Sequence, residues 1–156
     1  MKNWGFIGVF LLFAFSSIRL AINVIDFFNQ GPVLKNEYWV GYTCTCILFL
    51  FGEGRVLHKK FNPFVITRYK ELCDRSDLTI KSWIFFQIFA PLYCMGHINS
   101  PRKIKAWIST IVIFIMAKAI QYLPDLCRAA ICSGVALSLS FASISLIYLR
   151  VSSSFF

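Results

Sequence analysis

Polar and ionisable side chains interrupt the apolar runs of this chain, and they are its first candidates for chemistry. Ser16, Arg19, Asn23 and Asp26 are spaced three, four and three residues apart, so they share one face of a helix. Lys118 interrupts a later apolar run. Charges within membrane helices usually face a bundle interior or a water-filled path, and pairing lowers their cost. The stripe therefore predicts either the lining of an ion path or structural pairing, with Arg19 reaching the headgroups and Lys118 meeting an aspartate.

Acid–base chemistry would need the two histidines. Glu53, Arg55 and His58 stand close together at a Gly-x-Gly boundary, and with His97 they suggest a lipid-acting site at the membrane surface. No second motif completes such a site. We therefore expect no catalytic residues, and the chain is predicted not to be an enzyme.

Six cysteines raise the question of metal sites and disulfides. Zinc takes four ligands in recognisable pairs, and neither Cys44-x-Cys46 nor Cys94-x-x-His97 has a partner pair. Most of the cysteines lie in apolar runs, where cysteine acts as a small packing residue. We expect no metal, no cofactor and no structural disulfide.

The elements that position these side chains are predicted from composition. The chain has 156 residues, of which 58% are hydrophobic and 15% are charged, whereas soluble domains are about 45–50% apolar and about 25% charged. A soluble domain of this size could not bury so much apolar surface. The net charge of +9 comes from bases that flank apolar runs, which indicates membrane topology rather than nucleic-acid binding.

The predicted fold is a single all-α integral membrane domain over residues 1–156. Spans of roughly 20 apolar residues fall at about 4–27, 38–55, 106–123 and 129–149. Residues 82–98 are uncharged but contain Pro91, so we expect a re-entrant or interfacial segment there, with a fifth span as the alternative. With Arg19 and Lys118 set aside because they lie inside spans, four spans place twelve bases on one side and two on the other, against nine and five for five spans. The positive-inside bias favours four spans, with both termini and residues 53–105 in the cytoplasm, most simply at the plasma (inner) membrane.

Small residues recur along the last predicted span. They are Ala130, Gly134, Ser138, Ala142 and Ser145. This spacing lets another helix approach closely, and serine can hydrogen-bond across the contact. The sequence leaves open whether that helix belongs to the same chain or to a second copy, and we expect homo-oligomerisation.

Residues 53–105 carry ten basic and four acidic side chains. We expect contacts to a partner or to lipid headgroups from Arg55, His58, Lys59, Lys60, Arg68, Lys70, Arg75, Arg102, Lys103 and Lys105. Such a surface steers acidic proteins and anionic lipids.

These features predict a non-enzymatic, multi-pass membrane subunit. It would self-associate in the bilayer and anchor or regulate a cytosolic protein through residues 53–105, as a sensor or scaffold. In size and topology alone the chain is similar to small four-span membrane subunits of bacterial defence and signalling systems. A small ion channel or transporter is the alternative, and a lipid-acting membrane enzyme is the second alternative.

Overall fold

The computed structural model describes residues 3–31, 36–74, 88–101 and 103–152. Of these residues 89% are helical and none lies in a strand, which confirms the all-α class. Within these ranges, three helices are long and apolar enough to cross a membrane. Helices satisfy their backbone hydrogen bonds internally, as a chain surrounded by hydrocarbon must.

Within the described ranges, five α-helices of 13 or more residues form the fold. They are α1 (Trp4–Asn29), α2 (Asn36–Val56), α3 (Asn62–Asp74), α4 (Lys103–Ile120) and α5 (Asp125–Ser152). The three candidate spans are α1, the continuous helix Tyr38–Asp74 and α5. The helix α4 covers most of the predicted span 106–123 but contains three lysines over 18 residues, and it is not among the three candidates.

The second helix does not stop at residue 55. A π-helical turn, Leu57–Phe61, joins α2 directly to α3. Pro63 follows two residues later, and a proline inside a helix lacks an N–H and crowds the carbonyl four residues before it. The wider turn relieves this conflict without ending the helix. The charges between Glu53 and Asp74 therefore lie on a helix and not in a loop.

The helices run between two ends of the bundle, which we name by α1. At the proximal end, where α1 begins, Asn3 Oδ1 accepts hydrogen bonds from the Tyr69 hydroxyl at 2.6 Å and from the Arg150 guanidinium at 3.1 Å. At the distal end, where α1 finishes, the ring of Phe28 stacks on Trp39 with centroids 5.8 Å apart. The helices α2 and α5 thus run together, antiparallel to α1.

The small residues of α5 form a packing face inside one chain. All five of them are buried. A Cβ atom on Gly134 would come within 2.6 Å of Phe49 Cβ, and Ser138 Oγ donates to the Phe49 carbonyl at 3.0 Å. Asn62 Nδ2 donates to the Ala142 carbonyl at 2.9 Å. The neighbour of this face is therefore the second helix of the same chain, and the face gives no support to self-association.

Residues 88–100 pack on the first two turns of α1. Their helical part, 88–94, lies so close that a Cβ atom on Gly8 would be 2.3 Å from Pro91 Cγ. Gly96 turns the chain with φ of 82°, in the left-handed region that glycine adopts without strain. This segment therefore lies at the proximal end. Residues 82–87 lie outside the described ranges, and the interfacial or re-entrant placement of residues 82–98 stays a prediction.

The helix α4 is hydrogen-bonded to the rest of the chain near its start, and most of its remaining surface is exposed. The indole Nε1 of Trp107 donates to the His97 carbonyl at 3.2 Å, and Thr110 Oγ1 bonds His97 Nε2 at 2.8 Å. None of its residues is buried. Beyond its end, Gln121 lines a pocket with the distal turns of α1, so α4 runs from the proximal to the distal end.

Candidate interaction site on the second helix

Four charged side chains lie exposed between residues 53 and 60 of the second helix. We call them the charged stripe, and they are Glu53, Arg55, Lys59 and Lys60. The stripe was expected at a cytoplasmic boundary. In the structure it follows the helix through the π-helical turn.

The position of the stripe is fixed by the contacts that the neighbouring Gly54 and His58 make with α5. A Cβ atom on Gly54 would lie 3.9 Å from both Ser138 and Phe141, halfway along α5. His58 Nδ1 hydrogen-bonds Ser145 Oγ, which is buried. At about 1.5 Å per residue, Ser138 lies roughly 20 Å and Ser145 roughly 10 Å from the end of α5 at Ser152. The stripe therefore occupies the proximal half of the bundle's length and begins near its middle.

The two histidines have different partners. His58 is engaged by Ser145 and its ring lies 5.7 Å from that of Phe141. His97 is bonded to Thr110, and burial lowers the pKa of His97 below its usual range. A lipid-acting site would need a histidine beside Glu53, and the structure supplies each histidine with other contacts.

Arg68 is placed inside the chain rather than on the expected contact surface. Its side chain donates to Glu71 at 2.7 Å and to the carbonyls of Ile98 and Asn99 at 3.0 and 2.8 Å. Its guanidinium lies 4.0 Å from the ring centroid of Tyr93. Arg68 therefore fastens residues 88–100 to α3, and we leave it out of any surface for an external partner.

The other expected contact residues divide into two groups. Lys70, Lys103 and Lys105 are exposed near the proximal end. Arg75 and Arg102 lie outside the described residues. The exposed lysines leave a positively charged proximal end next to the charged stripe.

Of the polar residues predicted to line an ion path on α1 and α4, only two lie together in one site. Ser16 is half-buried, whereas Arg19, Asn23, Asp26 and Lys118 are exposed. Asn23 and Asp26 line a pocket of about 280 Å³ at the distal end, and Arg19 and Lys118 are not part of its lining.

The expected ion pair of Lys118 does not form in the part of the chain that the structure describes. Asp125 pairs instead with Arg128, one turn along its own helix. A pair at this spacing needs no tertiary contact, which explains why it forms in place of the longer-range pair.

The polar lining does not continue through the bundle. Toward the proximal end Ser17 Oγ donates to the Ala136 carbonyl at 2.9 Å, and Val9 and Phe13 of the same helix are buried. Proximal to the distal pocket, the buried face of α1 is therefore mostly apolar and does not continue the polar lining.

The described residues do not form a recognisable set of metal ligands. No group of three or more histidine, cysteine, aspartate or glutamate side chains there could hold a metal ion. None of the six cysteines, all of which are described, forms a disulfide.

Comparison of the chain with protein families, curated proteins and solved structures finds no match. A function for this chain must therefore be inferred from the charged stripe and the residues around it.

Proposed function

We propose that this chain is a non-enzymatic membrane subunit that holds an acidic protein partner against its second helix and its proximal end. The observation that carries this proposal is the charged stripe, which is exposed beside the proximal half of α5. Charged side chains at membrane depth are costly and usually pair with one another or face a cavity. In a bilayer, a partner that supplies carboxylates to the stripe removes this cost.

The chemistry of the partner follows from the sign of the charge. The stripe contains three basic residues and one glutamate, and residues 53–105 carry ten basic against four acidic side chains. Lipid phosphates lie at the bilayer surface, whereas the upper stripe lies beside Ser138, roughly 20 Å from the end of α5. With Ser152 taken as the level of the lipid phosphates, an acidic protein segment reaches this depth more readily than a headgroup does. Lys70, Lys103 and Lys105 extend the contact toward the cytosol.

The proposal includes four membrane spans. Support comes from the course of α4, which runs between the same two ends as α1, α2 and α5. Support also comes from the bases outside the membrane: with the stripe set aside, four spans leave nine of them on one side and two on the other. By the positive-inside bias the proximal end with both termini faces the cytoplasm of a plasma (inner) membrane.

Reporter fusions test the four spans. A reporter active only in the cytoplasm, fused after Arg68, after Ser100 or after Ser152, should be active at all three positions. A reporter active only outside, fused after Pro124, should be active there, because α4 carries the chain across. Opposite locations for the fusions after Arg68 and Ser100 would contradict four spans.

Site-specific photo-crosslinking tests the partner at the stripe. A photoreactive residue in place of Lys59 should give a discrete protein adduct in intact cells. Changing Arg55 and Lys60 together to glutamine should reduce its yield at least about tenfold, since removing a charge partner at a desolvated contact costs about 2–5 kcal/mol. The matched control variant is Lys118→Gln, an exposed lysine on α4, which should leave the yield unchanged.

The size of the adduct separates the possible partners. A photoreactive residue at Ile113, exposed on α4, should label lipid. An adduct at position 59 with the mass of two chains would show self-association. Self-association stays a prediction, and α4 is the helix whose surface is free for it within the described chain. Labelling of lipid alone at position 59 would contradict the proposal.

A further inference from the structure

The distal pocket stands apart from the charged stripe, at the opposite end of the bundle. It has a volume of about 280 Å³ and is formed where α1 ends, α4 has just ended and α5 begins. From α1 it is lined by Asn23, Asp26 and Gln30, which follow one another along a helix face. Gln121 and the first turn of α5 close the other side.

The lining is rich in hydrogen-bond acceptors and is negatively charged. Within the described residues Asp26 has no ion pair, whereas Asp125 is paired with Arg128. Two carboxylates against one guanidinium leave one negative charge, and the three side-chain amides contribute oxygen acceptors. Phe27 also lines the pocket, and aromatic rings attract organic cations. This combination favours a cation that carries N–H donors.

An anion is disfavoured on the same grounds. Arg128 is the only basic residue of the lining, and its guanidinium already contacts the carboxylate of Asp125. A phosphate or carboxylate in the pocket would have to displace that partner and would face Asp26.

The level of the pocket along the bundle indicates what can reach it. Phe28, Trp39 and Tyr42 form an aromatic cluster at the distal end, with ring centroids 5.8–5.9 Å apart. Tryptophan and tyrosine concentrate at the headgroup level of membranes. An ammonium group can enter a site at this level from water or from a neighbouring lipid.

We propose that the distal pocket binds a small organic ammonium group, carried by a free amine or by an ethanolamine lipid headgroup, with Asp26 as its counter-ion. The amides of Asn23, Gln30 and Gln121 accept its N–H donors, and Arg128 holds Asp125 in place at the rim. The site does not depend on the function proposed above.

Thermal unfolding of the purified full chain in neutral detergent tests the site. Ethanolamine hydrochloride should raise the unfolding midpoint in a saturable manner, and sodium chloride at the same ionic strength should not. Asp26→Asn should weaken the apparent affinity at least about fivefold, the effect of roughly 1 kcal/mol at a partly exposed ion pair. The matched control is Asp74→Asn, which removes an exposed carboxylate at the other end of the bundle and should leave the affinity unchanged.

A second variant distinguishes loss of binding in Asp26→Asn from misfolding of that variant. Asn23→Asp adds a carboxylate one helical turn from Asp26 and should strengthen ethanolamine binding several-fold. Opposite shifts in the two variants require a cation in the pocket, which a general change in stability does not produce.

A lipid arm distinguishes the two sources of the ammonium group. The chain is transferred to nanodiscs of phosphatidylethanolamine or of phosphatidylglycerol and examined by native mass spectrometry. Selective retention of phosphatidylethanolamine, lost in Asp26→Asn, identifies the headgroup, and a response to free ethanolamine without such retention identifies a soluble amine. The proposal is overturned if neither ligand gives an effect beyond that of salt, or if Asp26→Asn and Asp74→Asn behave alike.

Discussion

Replacement of Arg68 with alanine should lower the free energy of unfolding by about 2–3 kcal/mol and release residues 88–100 from α3. Only 8% of Arg68 is exposed, and its removal leaves the carbonyls of Ile98 and Asn99 without their donor. Breaking a fully buried ion pair costs about 3–5 kcal/mol. The effect here is smaller because Glu71 is 47% exposed and regains water.

The release can be measured at Cys94, which is fully buried. Burial raises the pKa of the Cys94 thiol to about 12, and Arg68 opposes that rise. Loss of the arginine charge alone would therefore make the thiolate rarer and slow alkylation. Faster alkylation of Cys94 in the variant, relative to exposed Cys127 and followed by peptide mass spectrometry, can only report exposure.

The control for Arg68→Ala is Lys70→Ala, which removes an exposed cation two residues along the same helix. It should change stability by less than about 0.5 kcal/mol and leave Cys94 protected. An Arg68→Ala protein with a wild-type unfolding midpoint and a protected Cys94 would show that the arginine does not hold this segment.

Gly134→Leu should separate α5 from the second helix and lower the free energy of unfolding by about 3 kcal/mol. A Cβ atom at this position would come within 2.6 Å of Phe49 Cβ and 3.2 Å of Cys46 Cα and its carbonyl oxygen. Backbone atoms cannot rotate aside, so the two helices must move apart. Thermal unfolding of the purified chain in detergent measures the loss.

The matched control for this substitution is Gly52→Leu. A Cβ atom on Gly52 meets nothing within 4 Å, so leucine there should be neutral or should stabilise the helix by about 0.5–1 kcal/mol. Equal midpoints for the two variants would mean that α5 does not depend on close approach at Gly134.

The long apolar runs of the sequence were sufficient to predict the all-α class and the approximate extent of two long helices. The helix α1 begins where the span 4–27 was expected to begin and ends two residues later than expected. The helix α5 begins four residues before the span expected at 129–149 and ends three residues after it. The small-residue pattern of α5 also identified a packing face, because a four-residue spacing of small side chains has few other uses. Its neighbour depended on chain folding and could not be predicted.

The second helix shows where sequence reasoning was insufficient. Charges from Glu53 onward suggested an aqueous boundary at the end of the span expected at 38–55. The helix continues because residues some 80 positions later complete its surface: Ala142 accepts from Asn62, and Ser145 bonds His58. Local propensity carries no information about such partners.

Arg68 and the distal pocket depend on tertiary structure in the same way. Arg68 stands in the most polar stretch of the chain, and the carbonyls that bury it come about 30 residues later. Asn23 and Asp26 could be placed on one helix face from their spacing, but the contribution of Gln121 and α5 required knowledge of how the helices meet. One-dimensional patterns identify faces, and three-dimensional packing decides what each face meets.

The uninterrupted helix from Tyr38 to Asp74 has a mechanical consequence. Its 37 residues form a rod of about 55 Å, longer than the roughly 30 Å of a bilayer's hydrocarbon core, with no flexible joint along it. A torque applied to α3 is therefore transmitted along the backbone toward Tyr42, which bonds Ser133 near the far end of the bundle. The π-helical turn joins α2 to α3 within this rod without ending the helix.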